Sequence, residues 1–156
     1  MKKLILLVFT FSIFCSSCSN DDDNGVPQQE YKILEVNDSG VSGYAFFVGS
    51  SVSDEVFNIA IQLIDVDIDV PYTAYLYSNS LSEGGEIVTE LDDFLNLHEA
   101  EVMSSWTSFH SSNQIVIENE VFDYQDLIAF DGHIKIFNSN DLSTPIAQCN
   151  IGSNAQ

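Results

Sequence analysis

Three histidines, His98, His110 and His133, are the side chains best suited to hold a metal or move a proton. Their spacing supports neither role. His98 precedes Glu99 as in the first half of a zinc-protease helix, but the second histidine of that motif falls on Val102. Zinc catalysis takes about three protein ligands and an open position, and no pair here has ligand spacing. Ser, His and Asp all occur, yet nothing in the sequence brings them together. The chain has no Gly-rich phosphate loop, no Gly-x-Ser-x-Gly and no Cys-x-x-Cys. Asp65, Asp67 and Asp69 in IDVDIDV share a face if that segment is extended. Three carboxylates so placed are candidate calcium ligands; the alternative is a solvated loop or an edge guarded against aggregation. The remaining cluster is aromatic. Tyr72, Tyr75 and Tyr77 fall within six residues, shortly before Glu83-Gly84-Gly85.

The elements that position these residues read as short strands. YKILEV (31–36), VSGYAFFV (41–48), EVFNIAIQLID (55–65), TAYLYS, EIVTEL, VMSSWTSF, QIVIE, HIKIF and PIAQCNI are β-rich. Turn signals separate them at 37–40, 82–85, 111–113 and 139–141. In the third segment Phe57, Ile59, Ile61 and Leu63 alternate with Asn58, Ala60 and Gln62, the period of a half-buried strand. Gly43 inside the second predicts a bulge or a close approach. Phe122, Leu127 and Phe130 do not alternate, which predicts one short helical turn near 123–128. Asp131-Gly132 reads as a tight turn into the strand of Ile134 and Ile136. About eight strands at this spacing predict an all-β sandwich or barrel.

The N-terminal residues speak to location. Lys2 and Lys3 precede the apolar run LILLVFTFSIF (4–14), which is short of the roughly 20 residues that span a bilayer. Basic start, apolar core and small residues describe a signal peptide over 1–17. Ser16-Ser17-Cys18 resembles a bacterial lipobox, with Cys15 where leucine is usual, and predicts acylation of Cys18 by diacylglycerol and palmitate. SNDDDNGVPQQ then reads as an acidic tether over 18–29, and its acidic triplet resembles a signal that sends lipoproteins to the outer face of the outer membrane. The folded domain is expected over 30–156. From Cys18 onward two lysines, Lys32 and Lys135, face all 24 acidic residues, and the chain has no arginine. Such a surface repels phosphate, which excludes nucleic acid as a partner, and leaves the lipid anchor as the contact with the membrane. Cys149 in PIAQCNIG has apolar neighbours and reads as a buried, inert thiol.

Four segments carry a resemblance to a known family. VSGYAFFV resembles an early Ser-Gly-x-Ala-x-Phe strand. SEGGEIVTEL resembles a Glu-Gly-Gly turn followed by a strand. YQDLIAFDGHIKIFNS resembles the block Tyr-x-x-Leu-hydrophobic-x-Phe-Asp-Gly-Tyr-Ile-x-Val-His-x-Ser, and PIAQCNIGSN the closing Ile-Ala-Gln-Gly-Asp-Ile-Gly-x-Asn. In this order, from about Tyr31 to Asn154, they resemble the chordin-type (CHRD) domain of secreted and lipid-anchored bacterial proteins. That family is in turn similar to copper–zinc superoxide dismutase. The resemblance implies a Greek-key β-sandwich, superoxide dismutase-like or immunoglobulin-like. It also locates a departure. Where the family has His-Pro-Ala-His-Ile-His, this chain has Tyr72, Thr73, Ala74, Tyr75, Leu76 and Tyr77. The later Val-His is Ile136-Phe137, and the aspartate of Gly-Asp-Ile-Gly is Asn150. Phenol, phenyl and amide are poor substitutes for imidazole and carboxylate as metal ligands.

The resemblance therefore implies a degenerate metal site at Tyr72, Tyr75, Tyr77, Phe137 and Asn150, with no copper or zinc cofactor and at most weak calcium. The expected function is a non-catalytic, surface-anchored module for binding or envelope structure, taking a protein or glycan ligand. Tyr72, Tyr75, Tyr77 and Trp106 are candidates for an aromatic patch, most of them expected in the core. The alternative is a dismutase-like or other metal-binding protein with a different ligand set.

Overall fold

The structure, a computed structural model, describes residues 25–96 and 101–155. The signal, the lipidation site at Cys18, most of the tether, His98 and Glu99 lie outside the described residues.

Among the described residues, ten strands and one short helix follow in the order β1 (Gln28–Glu35), β2 (Ser42–Val48), β3 (Phe57–Ile64), β4 (Tyr72–Ser78), β5 (Ile87–Glu90), β6 (Val102–Phe109), β7 (Val116–Ile117), β8 (Glu120–Val121), α1 (Tyr124–Ala129), β9 (Asp131–Asn138) and β10 (Asp141–Gly152). Eight of the strands form one antiparallel sheet in the order β5-β4-β9-β10-β1-β2-β3-β6. The sheet curls on itself because β1 serves both halves. Residues 28–33 of β1 pair with β2, whereas Leu34 and Glu35 pair with Gln148 and Ala147 of β10. The result is the sandwich-like all-β fold that the strand spacing predicts. Its halves are β1-β2-β3-β6 and β5-β4-β9-β10, and the chain passes between them after β3, β5 and β6.

Period-two patterning decides what each strand buries. Phe57, Ile59, Ile61 and Leu63 of β3 are at most 1 % exposed, and Asn58, Ala60 and Gln62 face outward. From the other half Ala74, Leu76, Ile134, Ile136, Ala147 and Ile151 are fully buried against them. Each completely buried Ile, Leu or Phe contributes roughly 1.5–3 kcal/mol, so the core rests on these alternating positions. Phe57 and Phe109 stack across β3 and β6 with centroids 5.0 Å apart.

The helical turn forms where expected. Asp123 accepts from the Asp126 N–H at 2.9 Å, and the Asp126 carboxylate accepts from the Asp123 N–H at 3.1 Å, a reciprocal cap. Tyr124 and Leu127 bury the inner side of α1. QIVIE is shorter as a strand than expected: only Val116 and Ile117 pair, with Glu120 and Val121, across Glu118 and Asn119 at φ 54° and 70°, the backbone of a two-residue hairpin turn. Asp131-Gly132 is a correction. Both residues lie inside β9 rather than in a turn. Glycine is there for room, since a Cβ on Gly132 would sit 2.6 Å from the Phe130 ring and 2.8 Å from the Tyr77 carbonyl oxygen.

Cys149 faces the core and is 5 % exposed. Burial pushes its thiol up to about 12, far above the range in which a thiolate attacks. In the folded protein Cys149 should resist alkylation at pH 8 and react fully once unfolded, as read by mass mapping of its peptide. Fast native labelling of that peptide would contradict the packing described.

Candidate functional site

β4 sorts its three tyrosines onto two faces. Tyr72 shares the inner face with Ala74 and Leu76, is 6 % exposed, and its hydroxyl accepts from the Asp67 N–H at 3.2 Å. Thr73, Tyr75 and Tyr77 point outward. The register of β4 on β9 sets Thr73 beside Phe137, Tyr75 beside Lys135 and Tyr77 beside His133. The register of β10 on β9 sets Asn150 on the far side of His133. Of the five positions the resemblance singles out, Tyr75, Tyr77, Phe137 and Asn150 therefore share the outer face of one half-sheet. Tyr72 does not join them.

His133 is the centre of this face, and local sequence gives no sign of that. Although it points outward from β9, it is fully buried. Tyr77 covers it, ring parallel to imidazole at 6° with centroids 4.9 Å apart. The segment from Asn79 through the Glu-Gly-Gly turn bends with Asn79 at φ 61° and Gly84 at φ 70°. The Asn79 N–H donates to the Asp131 carbonyl at 2.8 Å, which carries the Asn79 carbonyl to 2.7 Å from His133 Nδ1. A carbonyl only accepts, so Nδ1 carries the proton and Nε2 the lone pair. Nε2 is buried and has no hydrogen-bond partner among the described residues. Burial pushes the His133 pKa below the ordinary 6.5 and nearby Lys135 adds to this, while the Asn79 carbonyl and Asp131 pull the other way.

The neighbours are engaged elsewhere. Asn150 Oδ1 accepts from the Leu81 N–H at 2.8 Å. Tyr75 meets Tyr77 edge-on at 6.5 Å and Phe137 at 6.0 Å, and its hydroxyl reaches Glu90 Oε1 at 3.4 Å. Lys135 Nζ lies 5.0 Å from the Tyr77 ring centroid, a cation–π distance. Burial raises the Tyr77 hydroxyl pKa, with Tyr75 adding to it, so the phenol stays protonated at neutral pH and is a poor metal ligand. Among the described residues no three His, Cys, Asp or Glu side chains converge as a metal cluster.

The other sequence candidates fall elsewhere. His110 is exposed in the turn after β6, where its Nδ1 lies 3.1 Å from the Ser112 hydroxyl. IDVDIDV is not extended throughout. Asp65 has φ 59°, and Asp69 N–H donates to Asp67 Oδ1 at 3.0 Å, so the three carboxylates do not share a strand face. Trp106 is 55 % exposed on β6, in the other half of the sandwich from Tyr75 and Tyr77; the four aromatics form no single patch. What the sequence reading missed is the outward row through Trp106. Its signal was the alternation of VMSSWTSF, which buries Met103, Ser105, Thr107 and Phe109 and turns Trp106 out.

No protein-family model matches this chain, and neither does any curated protein or solved structure.

Proposed function

We propose that the chain is a non-catalytic module anchored to the outer membrane through acylated Cys18, serving binding or envelope structure at the cell exterior. The positions that hold histidine and aspartate in chordin-type domains are filled here by packing. The observation that carries this reading is the parallel stack of Tyr77 on buried His133, flanked by Tyr75, Phe137 and an Asn150 amide already bonded to backbone. Aromatic contacts of this kind stabilise a face by about 0.5–1.5 kcal/mol each beyond area burial. A second reading, a metal protein with another ligand set, has one observation in its favour: the unpartnered His133 Nε2. One neutral nitrogen falls short of the usual three or four ligands.

Two measurements test the proposal. Cys18→Ala should move the protein from the membrane fraction to the soluble fraction; a variant that stays anchored ends the lipoprotein reading. The purified protein should remove superoxide no faster than buffer, and turnover that survives chelation of trace metal ends the non-catalytic one.

A further inference from the structure

The outer face of the β2-β3-β6 half carries a groove of about 450 Å³, within the roughly 300–1,000 Å³ range of small-molecule sites. Register builds it. Phe46 of β2 pairs with Ala60 of β3, and Ala60 pairs with Trp106 of β6. A small residue thus separates two aromatic ones across two strand spacings, about 9.5 Å in all. Asn58 Oδ1 accepts from the indole Nε1 at 3.1 Å and from the Ser108 hydroxyl at 2.7 Å, which draws the indole toward β3 and fixes it. More than half of the Trp106 surface stays open to solvent.

The segment 91–96 forms the other wall. Leu91 and Phe94 are buried in the core and hold it. Asp92 N–H donates to Thr107 Oγ1 at 2.7 Å, the Ser105 hydroxyl donates to the Asp92 carbonyl at 2.5 Å, and Leu95 bridges to Ser104. With the backbone so fixed, the exposed Asp92, Asp93 and Leu95 side chains line the groove beside Gln62 and Ser104.

We propose that this groove binds a neutral oligosaccharide, with a sugar ring stacked on Trp106 and its hydroxyls taken by Gln62, Ser104, Asp92 and Asp93. This rests on the binding reading above and is independent of the anchor and of His133. The negative face of an indole attracts the C–H face of a sugar ring through its quadrupole. Carboxylates accept hydroxyl hydrogens in short, charge-assisted bonds, while amide and serine both donate and accept. That mixture suits a polyol; a simple cation needs acceptors alone. A net charge of −20 repels acidic polysaccharides, which leaves the neutral ones. A protein partner needs roughly 800 Å² from each side, more than this short row of side chains presents.

Trp106 is the chain's one tryptophan, so its fluorescence reports the site alone. The full-length protein, in a detergent without a sugar headgroup, is titrated with cello-, xylo-, manno- and chito-oligosaccharides of six units. At least one should shift Trp106 emission saturably and shield it from acrylamide, with little dependence on salt. Trp106→Ala, followed by calorimetry, should weaken binding by about tenfold or more, the scale of a central aromatic anchor. Ala60→Leu, which fills the groove floor and keeps the reporter, should do the same while circular dichroism stays unchanged. No shielding by any of the four sugars overturns the proposal, as does sugar binding that survives both substitutions. Shielding by choline or an oligolysine peptide instead, lost as salt rises, overturns it in favour of a cationic ligand. None of these outcomes bears on Cys18 or on metal content.

Discussion

Gly43→Ala is expected to destabilise the protein by about 3 kcal/mol, the upper end of the usual overpacking range. Gly43 pairs with Leu63 between β2 and β3, and a Cβ there would lie 2.0 Å from the Gln62 carbonyl oxygen and 3.0 Å from its carbon. Both atoms are backbone and cannot turn aside. The two strands would have to part at a pair flanked by the buried Ala45 and Ile61. A domain of this size is typically stable by about 5–15 kcal/mol, so the loss is a large share. Gly40→Ala is the control. Gly40 has φ 74° and nothing within 4 Å of its would-be Cβ, so only the conformational cost of a left-handed residue remains, about 1–2 kcal/mol. Urea midpoints should rank Gly43→Ala well below Gly40→Ala and wild type. Equal midpoints for the two variants would show that β2 and β3 do not approach as described.

Acid is the second large lever, and His133 sets its window. The folded state holds this imidazole neutral, with its pKa below 6.5, chiefly through burial. The unfolded chain titrates near the ordinary value of about 6.5. Below that pH the unfolded state binds a proton that the folded state refuses. Stability contributed by the neutral ring is therefore complete above pH 6.5 and is lost as pH falls toward the folded pKa. The slope is at most about 1.4 kcal/mol per pH unit for one proton. Protonation also creates an Nε2–H with no acceptor, since Nδ1 already donates to the Asn79 carbonyl, and the Tyr77 stack and the 79–84 segment are what it disturbs. Asp141 acts in a different window. Its carboxylate is held below 3.8 by the Ser143 hydroxyl and N–H, so its contribution disappears only in stronger acid. His133→Gln should flatten the stability profile just below pH 6.5; a slope that survives that substitution assigns the loss to other groups.

The fold was legible wherever one strand's own pattern carried the information. β3 announces its buried face through Phe57, Ile59, Ile61 and Leu63, and the turn at 123–128 through the break in alternation. Period two also separates Tyr72 from Tyr75 and Tyr77. The site was less legible because it is made by register. Tyr77, His133 and Asn150 come from three strands and meet in one row through two pairings that no local pattern encodes. The Trp106 groove likewise depends on Phe46, Ala60 and Trp106 falling in line across β2, β3 and β6. Asp131-Gly132 misled for a physical reason. The dipeptide favours turns because glycine tolerates positive φ, but here glycine answers a steric demand inside a strand, beside the Phe130 ring and the Tyr77 carbonyl.

The central claim of the proposed function is that the face around His133 is held by aromatic packing and carries no metal. The most direct test is the copper and zinc content of the full-length protein after dialysis against metal-free buffer, measured by elemental analysis for wild type, His133→Gln and Tyr77→His. The account predicts far less than one equivalent of either metal in wild type and in His133→Gln alike. One tightly held equivalent in wild type, lost in His133→Gln, would contradict it and make Nε2 of His133 a ligand.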